Sequence, residues 1–198
     1  MCGWSSGSTT EMLEVYKDEH RYELNGRELR SVTDSLKAAG LVWYPDDPEA
    51  RLRGTHVHEA TRLDDLNDLD ESSVEQYMGY VEGWRLFKQE TGFVPDVTRM
   101  EEVVHNSQAA GRFDVIGSFP KQALKFICDK KTGDVAAATA IQLAGYADLL
   151  GGAWGRVAVG LPGDGTYRCK IFPVSELWND IFVWRSCLKI ADWRARNR

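Results

Sequence analysis

The sequence predicts an α/β domain in which helices flank a mixed β-sheet. Three observations predict it. Short apolar segments of strand length recur along the chain, helical periodicity appears between them, and turn residues separate the segments. The chain has 198 residues, which is enough for one domain with a sizeable core, since domains typically have about 100–200 residues.

The first half of the chain is predicted to begin with a flexible leader at 1–11, with a single domain over 12–198. Asn25-Gly26 predicts a hairpin turn, because both central residues of a type I′ turn need positive φ. Ser31 or Thr33 is predicted to cap a helix that Gly40 closes. The remaining elements of this half are strands at 13–16, 21–24 and 27–32, helices at 34–39, 51–63 and about 74–87, and a loop marked by Pro45 and Pro48.

The second half of the chain alternates strands and helices. Ser175 is predicted to cap the last helix, which runs to about Trp193. The predicted elements are strands at 97–105, 112–119 and 123–129, a helix at 136–150, and strands at 156–161 and 167–174 before that last helix.

Composition excludes several classes of protein. No apolar run approaches the roughly 20 residues of a membrane span, and the first ten residues lack the basic start and apolar stretch of a secretory signal. The four cysteines are far apart, which favours neither a zinc knuckle nor a disulfide framework and predicts reduced thiols in a cytosol. The formal net charge of −6 counts against a nucleic-acid binder, although five bases stand against one acid over 185–198.

Two aspartates and a lysine are the most informative residues. Asp114 and Asp129 each lie in a short apolar segment, where an acid is costly unless it is paired or bound to a metal. Strand side chains alternate, so Asp129 and Lys131 point the same way and Lys130 points away, which predicts that Lys130 is solvated. Carboxylates bind hard divalent cations, and a lysine beside them can stabilise a developing negative charge, so this set suits metal-assisted cleavage of a phosphodiester.

Other polar residues are weaker candidates when each is taken alone. His58, on a predicted helix, can ligate a metal through a neutral imidazole, although a lone histidine is more often structural. Glu101 and Glu102 should lie on opposite faces of a strand, so either one can face the site. Gln142 and Tyr146 share one helix face and can both contact a phosphate or a base.

In this order the motifs resemble those of the PD-(D/E)XK nuclease superfamily, and within it the RecB-like branch with its phage-type exonucleases. The matching residues are His58, Glu101, Gly111 with Asp114, Asp129-Lys130-Lys131-Thr132-Gly133, and Gln142 with Tyr146. The segment from His20 to Thr33 is also similar to phage members of that branch.

The resemblance implies a three-layer, restriction-endonuclease-like α/β fold with a central mixed sheet. It implies that His58, Asp114 and Asp129 bind Mg²⁺ or Mn²⁺ with help from the Lys130 carbonyl, and that Glu101, rather than Glu102, is the family's glutamate. It also implies that Lys131 is catalytic beside Asp114, Asp129 and Glu101, and that Gln142 and Tyr146 bind the DNA strand. Only Cys187 lies where the branch clusters cysteines for an iron–sulfur cluster, so we expect no cluster.

The residues and the resemblance therefore predict a metal-dependent deoxyribonuclease. The resemblance favours an exonuclease acting on single- or double-stranded DNA ends in phage or bacterial recombination or repair, while the sequence leaves exonuclease and endonuclease action open. A cytoplasmic location and no membrane partner are expected, while a single-strand annealing partner and a homo-oligomer are left open. The alternative is a catalytically silent protein of the same fold that binds DNA or acts in assembly, which the acidic balance favours. A cysteine hydrolase using Cys128 is a third, weaker interpretation, because strand alternation turns Cys128 away from Asp129 and towards the core.

Overall fold

The computed structural model describes residues 12–16, 21–42 and 47–197. The predicted leader at 1–11, His20 and Pro45 lie outside the described residues. Within the described ranges, no helix is both long and apolar enough to cross a bilayer.

The predicted order of strands and helices is present. The strands are β1 Leu13–Tyr16, β2 Arg21–Leu24, β3 Arg27–Ser31, β4 Val94–Met100, β5 Val103–His105, β6 Ala109–Arg112, β7 Val115–Ser118, β8 Lys125–Lys131, β9 Gly155–Gly160 and β10 Arg168–Phe172. The helices are α1 Val32–Ala39, α2 Pro48–Asp65, α3 Met78–Thr91, α4 Thr139–Leu150 and α5 Leu177–Arg196, with 3₁₀ segments at Glu71–Tyr77 and Val174–Glu176.

The strands form two mixed sheets of five strands each, in the orders β1-β2-β3-β6-β5 and β10-β9-β8-β7-β4. In the first sheet β3 pairs parallel with β6, and in the second β8 pairs parallel with β9 across the α4 connection. The other pairings are antiparallel. The α/β class with a mixed sheet and flanking helices is confirmed, and the arrangement is consistent with a restriction-endonuclease-like fold.

Helices cover both faces of the second sheet, which gives three layers. Ile127 packs with residues of α1, α4 and α5 on one face, among them Trp184. The next residue along β8, Cys128, packs on the other face with Val57 of α2 and Trp84 of α3. Strand alternation therefore divides the core into two clusters.

Two predicted strands are interrupted, one in its middle and one near its start, which divides the expected single sheet. The strand predicted over 97–105 is interrupted at Glu101 and Glu102, and the one predicted to begin at Arg112 is interrupted at Phe113 and Asp114. The breaks face each other, because Met100 pairs with Val115 on one side and Val103 with Arg112 on the other. Sequence periodicity did not reveal these breaks, because no glycine or proline occurs at either of them.

Helix ends account for most of the other differences. Ser31 caps α1 as predicted, by accepting a hydrogen bond from the Asp34 N–H at 3.0 Å. Pro48, predicted to lie in a loop, is instead the first residue of α2, where its missing N–H costs nothing, and Asp47 provides the cap. The prediction that Ser175 caps the last helix is wrong, because α5 begins after Glu176 and has no side-chain cap.

Candidate metal centre

His58, Glu101 and Asp114 converge beside the break in the strands. One ligand atom from each lies within 4.8 Å of the other two. His58 Nδ1 lies 3.4 Å from Asp114 Oδ1 and 3.8 Å from Glu101 Oε1. An imidazole and two carboxylates from three separate segments of the chain thus meet at one point.

Each member of this cluster is held by its own surroundings. His58 is on α2, whose buried face carries Val57 and Ala60. The backbone of Glu101 has a left-handed φ of 51°, and its N–H donates to the Asp114 carbonyl at 2.9 Å. Arg112 Nε lies 3.0 Å from Glu101 Oε2, which fixes that end of the carboxylate.

Glu101, and not Glu102, faces the cluster. Glu102 turns the other way and accepts hydrogen bonds from Arg99 at 2.7 and 2.9 Å. The sequence had suggested that strand alternation separates the two glutamates. That explanation is wrong, because neither glutamate belongs to a strand. The left-handed turn at Glu101 separates the two side chains instead.

A second set of candidates lies along β8 and α4. Lys131 Nζ lies 3.1 Å from Asp129 Oδ1 and 3.1 Å from Gln142 Oε1. The Gln142 amide nitrogen donates to the Tyr146 hydroxyl at 3.1 Å. These four residues form one chain of polar contacts in which Lys131 and Asp129 share a face, as β alternation predicts.

Asp114 joins the two sets. Its Oδ2 accepts a 2.6 Å hydrogen bond from the Lys130 N–H, and Lys130 follows Asp129 directly. The pairing of Val115 with Cys128 places Asp114 and Asp129 side by side across two neighbouring strands. Asp129 is nevertheless not part of the three-residue cluster, which contains Glu101 in its place, so a ligand role for Asp129 stays a prediction.

The charges of these groups depend strongly on one another. Burial lowers the pKa of His58, but Asp114 and Glu101 outweigh burial and raise that pKa to about 9. Burial alone would raise the pKa of Asp114, whereas His58, Lys130 and Lys131 hold it well below its usual range. Burial raises the pKa of Asp129 to about 6, although Lys131 acts in the opposite direction. Near neutral pH His58 is therefore an imidazolium beside the carboxylate of Asp114.

The cluster fits a hard divalent cation. Glu101 Oε1 is buried and has no hydrogen-bond partner in the part of the chain that the structure describes. A buried carboxylate oxygen without a hydrogen bond is costly, and its 3.8 Å distance to His58 Nδ1 is long, so a cation would satisfy it. Two carboxylates and one imidazole suit a hard or borderline divalent cation better than a soft metal, which would favour thiolates.

The sequence missed one residue beside the cluster and gave the wrong environment for the side chain of another. Arg112, which holds Glu101, gave no signal, because only the fold brings it there. Lys130 was predicted to be solvated but is 1% exposed. It does point away from Asp129, but α2 and α3 cover that face of the sheet, and Lys130 Nζ donates to Thr61 Oγ1 at 2.8 Å.

The environment of Cys128 does not suit a catalytic nucleophile. Its side chain is fully buried in the core, and burial raises the pKa of its thiol well above the usual value. The reactive form of a cysteine is the thiolate, which this environment disfavours.

The fold and the site define an α/β protein with a candidate divalent-metal centre at a break in its sheets. No protein family model matches the sequence, and no curated protein matches it. Among solved structures, the chain is similar to the alkaline exonuclease LHK-Exo from Laribacter hongkongensis, with 10% identity and a TM-score of 0.39 over 85% of this chain and 92% of that one. It is also similar to SSO0001, with 13% identity and a TM-score of 0.27 over 77% of this chain and 83% of that one. Neither likeness is close enough to bear on function.

Proposed function

We propose that this chain is a divalent-metal-dependent deoxyribonuclease that hydrolyses phosphodiester bonds at DNA ends. One observation carries the proposal. His58, Glu101 and Asp114 converge around a buried Glu101 oxygen that has no hydrogen bond within the described part of the chain, and Lys131 lies on the strand that Asp114 contacts. A cation site next to a fixed ammonium is what cleavage of a phosphodiester needs.

The cation in this proposal is Mg²⁺ or Mn²⁺, held by His58, Glu101 and Asp114, with Asp129 as a further candidate ligand. When bound, such an ion neutralises charge on the scissile phosphate and lowers the pKa of a water. Glu101 and Asp114 supply the negative charge that holds it, and Arg112 keeps Glu101 in place.

Lys131 and α4 act on the DNA. The Lys131 ammonium, held between Asp129 and Gln142, provides positive charge where charge grows on the phosphate oxygens. The resemblance also implies that Gln142 and Tyr146 bind the DNA strand, although both side chains are buried, at 8% and 4% exposure. Burial raises the pKa of Tyr146, so its hydroxyl stays neutral and can donate a hydrogen bond.

The resemblance to the RecB-like branch supports exonuclease action in recombination or repair, in the cytoplasm of a bacterium or a phage-infected cell. A single-strand annealing protein and a homo-oligomer belong to the same proposal. The formal charge of −6 favours one rival, a catalytically silent protein of the same fold that binds DNA or acts in assembly.

A cleavage assay with end-labelled linear and circular DNA tests the proposal. We expect degradation of linear DNA with Mg²⁺ or Mn²⁺ and none with EDTA, while circular DNA stays intact if the enzyme requires an end. Asp129→Ala and Lys131→Ala should abolish cleavage while the fold survives. Lys125→Ala is the matched control, because Lys125 is on the same strand but pairs with Asp96 away from the site. Wild-type cleavage rates in the Asp129 or Lys131 variant would contradict the assignment.

A further inference from the structure

The side chain of Lys130 is a buried cation for which the proposed chemistry has no role. It lies on β8 between Asp129 and Lys131, yet it is 1% exposed and packs under α2 and α3. Its Nζ lies 5.2 Å from the centre of the Trp84 ring and 2.8 Å from Thr61 Oγ1. Burying an ammonium is costly, so its retention among apolar neighbours needs an explanation.

Thr61 connects the Lys130 ammonium to the backbone of α2. The Thr61 hydroxyl accepts from Lys130 and donates back along α2, where its oxygen lies 2.9 Å from the Val57 carbonyl and 3.0 Å from the His58 carbonyl. Thr61 is itself fully buried. Lys130 is therefore one hydroxyl away from the backbone of His58.

The backbone of Lys130 acts on the other side of the cluster. Its N–H donates to Asp114 Oδ2 at 2.6 Å, which leaves Oδ1 facing His58 Nδ1 at 3.4 Å. One residue thus contacts Asp114 through its amide and the His58 turn of α2 through its ammonium.

We propose that Lys130 is a positioning residue, which sets His58 against Asp114 by tying α2 to β8 through Thr61. The inference rests on the proposed metal site and adds a residue that binds neither metal nor substrate through its side chain. Partners that orient metal ligands typically change metal affinity by about 10- to 100-fold when they are removed.

The alternative is that Lys130 acts only through its charge. That charge repels a cation directly, but it also lowers the pKa of His58, so the sign of the effect of removing it depends on both contributions. Lys130→Met keeps the length and the burial of the side chain but removes the charge together with the contact. Thr61→Val breaks the contact and leaves the Lys130 side chain in place, so this variant separates the two roles.

The test measures Mn²⁺ binding to the 198-residue chain by calorimetry. We expect the Kd of Lys130→Met to rise about 10-fold or more. Thr61→Val should raise it similarly without any change in charge, while Thr61→Ser keeps the hydroxyl and should restore binding. The double variant Lys130→Met/Thr61→Val should be no weaker than the worse single variant, since both break one link. Lys125→Met, an exposed lysine on the same strand, is the control and should leave the Kd unchanged.

An unchanged or lower Kd in Lys130→Met would overturn the proposal. If that variant does not fold, the pair Thr61→Val and Thr61→Ser decides, and equal affinities in the pair would overturn it. NMR of the metal-free chain gives an independent readout, in which the His58 imidazole signals should shift in Lys130→Met and Thr61→Val but not in Lys125→Met. A wild-type chain that binds no Mn²⁺ would refute the proposed function, whereas unchanged His58 signals would refute the role of Lys130.

Discussion

The proton on His58 should control metal binding. A metal ligand must be a neutral imidazole, whereas the pKa of about 9 means that His58 is mostly protonated at pH 7. The pKa of His58 lies about two units above pH 7, so removing its proton at pH 7 costs about 2.7 kcal/mol, at about 1.36 kcal/mol per unit. We therefore expect the apparent Kd for Mn²⁺ to fall about tenfold per pH unit above pH 7 and to level off near the pKa of His58.

Calorimetry checks this prediction directly. Titration of Mn²⁺ at pH 7 in two buffers with different ionisation enthalpies gives the number of protons released, which should be about one per ion. Below about pH 6, protonation of Asp129 should weaken binding further if Asp129 is also a ligand, because burial raises its pKa to about 6.

His58→Asn is the control for the histidine. It should weaken binding at every pH and flatten the dependence between pH 7 and pH 8.5. A wild-type protein that releases no proton and whose Kd does not change with pH would refute the reasoning, because His58 would then be either neutral in the metal-free protein or not a ligand.

Three further predictions concern stability, and two of them also concern function. Asp129→Asn removes a carboxylate that burial disfavours, so we expect an unchanged or higher Tm together with loss of cleavage; a lower Tm would contradict this. Gly111→Ala would place a Cβ 2.7 Å from Tyr146 Cε1, so it should lower the free energy of unfolding in urea by about 1–3 kcal/mol. Gly54→Ala, where a Cβ would meet nothing within 4 Å, is the control and should be neutral or stabilising. Equal free energies of unfolding for the two variants would contradict this prediction. Glu101→Gly should be about 1 kcal/mol more stable than Glu101→Gln, because only glycine adopts the positive φ without strain. Both variants should bind Mn²⁺ poorly. Equal stability of the two would show that the turn stores no strain.

The sequence predicted most elements of the fold because hydrophobic periodicity and turn residues act locally. Asn25 and Gly26 both have positive φ in the hairpin, and Ser31 caps α1, as their chemistry predicts. Burial depends on distant packing, which explains the error at Lys130. Alternation predicted the side to which Lys130 points, but nothing local indicates that α2 and α3 cover that side.

The individual residues of the candidate site were predictable from the sequence, but which of them lie together in space was not. Asp129 and Lys131 touch because two residues of one strand share a face. That His58 and Glu101 lie near Asp114 depends on three segments far apart in the chain, and only the ordered resemblance brought them together. The same holds for Gly111, where a side chain would collide with Tyr146, a contact across 35 positions of sequence.

The break in the strands is what makes the cluster possible. In an uninterrupted antiparallel pair, the backbone groups of residues 101 and 114 would form regular ladder hydrogen bonds, and their side chains would alternate faces with those of their neighbours. At the break, the Glu101 N–H still bonds the Asp114 carbonyl, but the left-handed φ of Glu101 turns its carboxylate to the same point as that of Asp114. Two like charges brought together in this way repel each other, and His58, Arg112 and the Lys130 amide are the groups that offset the repulsion without the metal. A cation would do so better, because it would also satisfy the buried Glu101 oxygen, which accepts no hydrogen bond from the described residues, so the local irregularity and this oxygen point to the same ligand.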